Sequence, residues 1–193
     1  MSGGQLAFLF AASILAGAVN SVAGGGTLLS FPAAVAAGLA PIIANATNAV
    51  AMVPGSFAAA WSYRRHLKGL ERLTVALAIP GVAGGMLGAL ILRKTPQRLF
   101  DSIVPWLVLG ATLIILVQGV ILRRRSSTQP SPTVTRWPLM LALQFLVSIY
   151  GGYFGAAMGI VMLAFLGYIA APGRAGRLEM HQMNAVKNVL AVV

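Results

Sequence analysis

AGAVNSVAGGGTLLSFPAAVAAGLAPIIANATNAVAMVP, running from Ala16 to Pro54, is too apolar to sit in water and too interrupted to be a plain membrane helix. It holds three consecutive glycines (Gly24, Gly25, Gly26), prolines at Pro32 and Pro41, and a cluster of asparagines at Asn20, Asn45 and Asn48. In hydrocarbon, every backbone N–H or C=O without a partner costs several kcal/mol, so interrupted backbone survives at membrane depth only where protein or a cavity surrounds it. The stretch reads as a broken helix, a second helix facing it, and a polar site between the two.

The chain around it supports a membrane setting. Of 193 residues, 58% are hydrophobic and 9% charged, against roughly 25% charged in soluble domains. Several apolar runs exceed the ~18–20 residues needed to cross a bilayer. They do not alternate as barrel strands would, so the expected fold class is all-α, a polytopic membrane helix bundle. The net charge of +11 sits in the gaps between apolar runs, at Arg64, Arg65, Lys68, Arg72, Arg93, Lys94, Arg98, Arg123, Arg124, Arg125, Arg136, Arg174 and Arg177. That placement suits anionic lipid headgroups as the partner and argues against nucleic acid. There is no cysteine, hence no disulfide or thiol chemistry, and nothing calls for a cofactor or a metal. The N-terminus lacks a basic leader, so the first helix is expected to be retained.

Gln5 to about Leu39 is one apolar run of roughly 35 residues; as a straight helix at ~1.5 Å per residue it would reach about 52 Å, against a core of ~30 Å. It must break, and the glycine triplet is the place, with Thr27 expected to cap the half-helix that follows. Pro41 opens a helix to about Tyr63, and Arg64 to Arg72 is a loop. A helix over Leu73–Leu92 carries Gly81, Gly84, Gly85 and Gly88, a small-residue face read as packing, with a kink expected at Pro80. A loop follows to Arg98, then a helix from Leu99 to Leu122 whose Asp101 suits the first turn. Arg123 to Arg136, basic and then rich in Ser, Thr and Pro, is the linker. Trp137 starts a second long run to about Ala171, Pro172 to Arg177 is a loop, and Leu178 begins a last helix. The domain reading is 1–122, a first transmembrane repeat; 123–136, the linker; and 137–193, a second, incomplete repeat.

The two parts resemble one another. Gly17–Gly24 reads GAVNSVAG and Gly152–Gly159 reads GYFGAAMG; Asn48-Ala49-Val50 is answered by Asn184-Ala185-Val186, with Asn45 opposite His181. Transporters are often built from such repeats, inverted or parallel, with broken or re-entrant helices at the substrate site. The second part stops soon after Asn184, so the second repeat is expected to be truncated by about two helices.

NSVAGGGTLLSFP followed by GLAPIIANATN resembles the first repeat of the TauE/SafE sulfite-exporter family, and YGGYFGAAMGI with HQMNAVKN resembles its second. The resemblance implies a permease of the bacterial inner (plasma) membrane, multi-pass, that moves small sulfur-containing anions such as sulfite or organosulfonates. Two departures stand out: Met158-Gly159-Ile160 replaces the glycine triplet in the second repeat, and the sequence stops where the helices that usually follow would be expected.

Lys187 lies about three turns into the last helix, away from the loop arginines, where a charge costs at least ~2.5–3.5 kcal/mol unless paired or hydrated. The acids Glu71, Asp101 and Glu179 sit at helix ends, so an anionic substrate would serve as its counter-ion; snorkelling to an interface is the alternative. Asn20, Asn45, Thr47, Asn48, Asn184 and Asn188 are uncharged groups able to replace an anion's water. Asn184, Asn188 and Lys187 share or border one helix face, and His181 extends it; interhelical hydrogen bonding is the alternative for each one. Gly24, Gly25 and Gly26 would present backbone N–H groups at a helix start, which attract anions, or else mark a tight crossing. His66 is read as a solvated loop residue. Counting each long run as one crossing puts eight basic residues on the N-terminal side and five on the other, which favours a cytoplasmic N-terminus.

The resulting expectation is a secondary permease for a small anion working by alternating access between the repeats. A non-transporting membrane scaffold or assembly subunit is the alternative from another class. An intramembrane enzyme would need a base, nucleophile or metal cluster, and the only histidines are His66 and His181.

Overall fold

The computed structural model describes residues 2–22, 24–125, 137–169 and 180–192, and every regular element among them is helical. In chain order these are α1 (Gly3–Val22), α2 (Thr27–Ala36), α3 (Pro41–Tyr63), a short 3-10 turn (Arg64–Leu67), α4 (Glu71–Lys94), α5 (Gln97–Arg125), α6 (Trp137–Tyr153), α7 (Met158–Ile169) and α8 (Met180–Leu190). Most of the expected linker, and the expected loop at Pro172–Arg177, lie outside the described residues; Arg123–Arg125 extend α5 instead. Three helical stretches among the described residues are long and apolar enough to cross a membrane: Gly3–Val22, Pro41–Leu67 and Glu71–Lys94.

Local chemistry sets the ends. Ser2 and Gln5 cap α1 reciprocally, the Gln5 N–H donating to Ser2 Oγ (3.3 Å) and the Ser2 N–H to Gln5 Oε1 (2.7 Å), a capping box. α2 stops at Gly38, whose φ of +97° suits only a residue without a Cβ. Its N–H reaches Val35 O at 2.9 Å and the next N–H reaches Ala34 O at 3.2 Å, the paired bonds of a Schellman end. Pro41 then opens α3 at its first position, where a missing N–H costs nothing.

α2 does not prolong α1. Phe8, Ala12 and Leu15 line one groove together with Leu29, Pro32, Ala33 and Ala36; in a straight helix Phe8 and Ala36 would stand about 42 Å apart. The chain therefore reverses at the glycines and α2 lies back along α1. The premise of one crossing per long run fails for this run, and the count of loop charges by side fails with it. The same order of long helix, short break and shorter helix recurs in α6, 154–157 and α7, with Met158, Met162 and Leu166 packed in one cluster with Met140, Leu143 and Val147.

Polarity is inverted relative to a water-soluble protein. Phe10 (70%), Val50 (72%), Ile79 (70%) and Trp106 (72%) are exposed, whereas Asn45, Asn48, Gln144, Ser148, Asn184, Lys187 and Asn188 are buried. That is the arrangement hydrocarbon imposes, since polar groups must find partners inside the protein.

α4 and α6 form the most extensive helix pair. The α4 glycines make it possible: a Cβ on Gly84 would meet the Phe145 carbonyl and Ser148, one on Gly88 would meet the Ile149 carbonyl, and one on Gly152 would meet the backbone of Gly85. This is the close approach that a small-residue face permits. Gly88→Ala should therefore lower stability by about 1–3 kcal/mol in thermal or denaturant unfolding of the detergent-solubilised chain. Gly17→Ala, whose added Cβ meets nothing within 4 Å, should not. A Gly88→Ala chain as stable as its parent would contradict the crossing.

Candidate functional site

The two breaks meet. Gly24 (φ +79°) lies against Gly159 so closely that a Cβ on either would stand 2.6 Å from the backbone of the other. Each glycine of the triplet has its own reason. Gly24 carries the left-handed turn and the backbone contact, Gly25 receives the side chain of Ile160, and Gly26 lies against the Ala16 carbonyl of α1. The departure at Met158-Gly159-Ile160 thus has a steric account: Ile160 occupies the space that Gly25 leaves open.

The backbone ends exposed by the breaks are satisfied from across the crossing. The Thr27 hydroxyl donates to Gly155 O (3.3 Å) and accepts from the Ala157 N–H (3.2 Å), where Ala157 is buried and held at φ +60°. Thr27 is therefore not the expected cap of α2. Gly26 occupies that position without a side-chain bond, and the hydroxyl serves the second break instead. Asn45 Nδ2 donates to Tyr153 O (2.9 Å), in the last turn of α6. Lys187 Nζ donates to Asn20 O (2.9 Å) and is 3.5 Å from Ser21 O, in the last turn of α1. A cation at a helix C-terminus meets both the orphan carbonyls and the negative end of the dipole. In the last two cases the helix that follows one broken run, α3 or α8, closes the other broken run.

Lys187 is 1% exposed, so it does not snorkel, and it has carbonyl partners rather than standing unpaired. Asn20 contributes its carbonyl, which also accepts from the Gly24 N–H at 3.1 Å. Asn48 Oδ1 accepts from the Ser30 hydroxyl at 2.5 Å, and that hydroxyl also lies 3.2 Å from Gly26 O. Asn184 and Asn188 are buried on α8, and among the described residues Asn184 Oδ1 and both polar atoms of Asn188 have no hydrogen-bond partner.

Two expected members stand apart. Thr47 is exposed and lines an outer groove with Ile43, Ala46 and Arg93; two residues from Asn45 is about 200° around a helix, which turns it outward. His181 is exposed at the start of α8, its ring 5.3 Å from that of His66 and 6.1 Å from that of Tyr63. His66 is thus a ring partner of His181 rather than a purely solvated loop residue.

Several participants escaped the sequence reading. Ser30 has a hydroxyl inside an apolar run; Gln144, fully buried, donates to Ser148 Oγ at 3.1 Å beside Gly81. A buried glutamine four residues before a serine was the available signal. Lys187→Met should leave the carbonyls of the last turn of α1 short of a donor, at about 1–3 kcal/mol. Amide hydrogen exchange over Val19–Gly24 should speed up while α4 and α6 keep their protection, and Lys187→Arg should restore it. Unchanged exchange in Lys187→Met would show that the ammonium does not hold that turn.

The profile of the sulfite exporter TauE/SafE family matches residues 9–193. The chain is similar to the probable membrane transporter protein ORF9 of Sinorhizobium sp., 35% identical over 87% of this chain and 62% of that protein. It is also similar to the probable membrane transporter protein YfcA of Escherichia coli strain K12, at 33% identity over 83% of this chain and 59% of that protein. A probable membrane transporter protein of Haemophilus influenzae is 25% identical over 81% of this chain. The chain spans about 60% of the length of these curated relatives. No solved structure matches it significantly. With the family profile covering nearly the whole chain and its motifs lying at the crossing just described, the chain belongs to the sulfite exporter TauE/SafE family of membrane transporters.

Proposed function

We propose that the chain acts as a multi-pass permease of the bacterial inner membrane, moving a small sulfur-containing anion such as sulfite or an organosulfonate by alternating access. The observation that carries this is Lys187: a buried cation placed where two broken helices cross, held by backbone carbonyls and by no carboxylate among the described residues. A carbonyl-held ammonium keeps its full charge available to an anion, whereas a salt-bridged one would not. Family membership supplies the substrate class.

The geometry supports a two-repeat reading as well. Under the alignment of GAVNSVAG with GYFGAAMG, Gly24 and Gly159 are equivalent positions, and they touch each other. Contact between equivalent positions is what a two-fold relation between the halves produces. The units would be 1–122 and 137–193 joined by the 123–136 linker, each with a re-entrant break, and rocking of one against the other would open the crossing to either side in turn. On this reading Asn20, Gly24, Gly25, Gly26, Asn45, Asn48, Asn184, Lys187 and Asn188 surround the path. Thr47 and His181 lie outside it, and the loop arginines face anionic headgroups.

Proteoliposomes containing the chain should take up sulfite, thiosulfate or a sulfonate faster than protein-free vesicles. Lys187→Ala should lower that flux about tenfold or more, equivalent to about 1.4 kcal/mol of barrier, with partial return in Lys187→Arg. No flux of any anion, with the parent and Lys187→Ala indistinguishable, removes the transport reading and leaves a scaffold; a real flux indifferent to Lys187→Ala removes Lys187 from the path.

A further inference from the structure

Asn184, Lys187 and Asn188 stand at i, i+3 and i+4 of α8, so their side chains emerge within an arc of about 100°. All three are at most 2% exposed. The ammonium spends one of its three donors on Asn20 O at 2.9 Å and stretches a second to 3.5 Å from Ser21 O. Asn184 Oδ1, Asn188 Oδ1 and Asn188 Nδ2 have no partner among the described residues. One helix face thus presents unspent donors and unspent acceptors side by side, in a place where an unmade hydrogen bond is expensive. Flipping the Asn188 amide exchanges its ends without removing the need, because both ends are unpaired.

A guest must answer both halves of that set. Lys187 is the one charged side chain among the buried described residues, so a single negative charge neutralises the face and a second would be left unbalanced. An anion made only of acceptors would take the Lys187 and Asn188 donors but press its lone pairs on two carboxamide oxygens that still lack a proton. An anion with its own hydroxyl supplies a proton to one of the two.

Resting on the transport reading above, we infer that this face of α8 selects a singly charged oxyanion that carries a hydrogen-bond donor: for sulfite, hydrogensulfite rather than the dianion. The consequence for mechanism is that the proton travels on the substrate, so no carboxylate relay is required in the path.

Hydrogensulfite, as HO–SO2−, and methanesulfonate are alike in charge and in having sulfur bound to three oxygens, but the second carries a methyl on sulfur and has no O–H to donate. In mildly acidic buffer, proteoliposomes of the wild-type chain should carry hydrogensulfite at least about tenfold faster than methanesulfonate, because a site built around a donor rejects the analogue that lacks it. Sulfate should be slower still. Asn188→Leu should narrow the ratio by relieving the unmatched oxygen for methanesulfonate, and the wild-type ratio decides alone if that variant does not fold. Equal transport of the pair, or sulfate moving as fast as hydrogensulfite, overturns this inference while the transport reading stands. Absence of flux for every anion overturns both.

Discussion

A helix that stops inside a membrane protein leaves up to four N–H or C=O groups without water to turn to. That constraint organises the crossing. α1 ends at Val22 and α6 at Tyr153, and a carbonyl in the last turn of each takes a bond from a side chain of another helix. The Lys187 ammonium from α8 completes one and the Asn45 amide from α3 the other, while the Thr27 hydroxyl bridges the second break by donating and accepting at once. The two halves are therefore chemically interdependent: separating them exposes carbonyls on both sides. Glycine packing brings the halves close enough, and the polar groups fix which side chain closes which end.

The same interdependence bears on the proposed transport. A contact that is tight in one arrangement and costly to leave half-made favours discrete states over gradual opening. Lys187 links the two ideas, since the charge that closes α1 here is also the charge an anion would seek. On the proposed function, an anion at the crossing would compete with the carbonyls of Asn20 and Ser21 for one ammonium, which would couple its binding to release of the α1 end.

Much of this was legible in the chain. The break at Gly24–Gly26 followed from length alone, since the run is too long for one straight crossing and has one obvious weak point. α3 begins at Pro41 and ends at Tyr63, as its proline and basic flank dictate. The α4 glycines packed as their spacing required. The depth of Lys187 was readable from its distance to the nearest loop charge. The partners were not legible. The bonds that matter join residues 128, 108 and 167 positions apart, whereas periodicity and capping rules report only on neighbours along one helix. For that reason Thr27 was expected to serve its own helix, and Lys187 to stand without partners. Thr47 was grouped with the asparagines as an uncharged donor and His181 by its i, i+3 spacing to Asn184, but helical rotation turns Thr47 outward and His181 lies exposed at the start of α8.

The central claim is that the two broken helices cross in direct contact, Gly25 against Ile160. The chain has no native cysteine, so a single introduced pair tests it in the membrane. Gly25→Cys combined with Ile160→Cys, with a protease site placed in the 126–136 segment, should give halves that stay joined after oxidation and cleavage and separate on reduction. Halves that fall apart after oxidation, while the doubly substituted chain still inserts and resists thermal unfolding like its parent, would contradict the crossing and everything built on it.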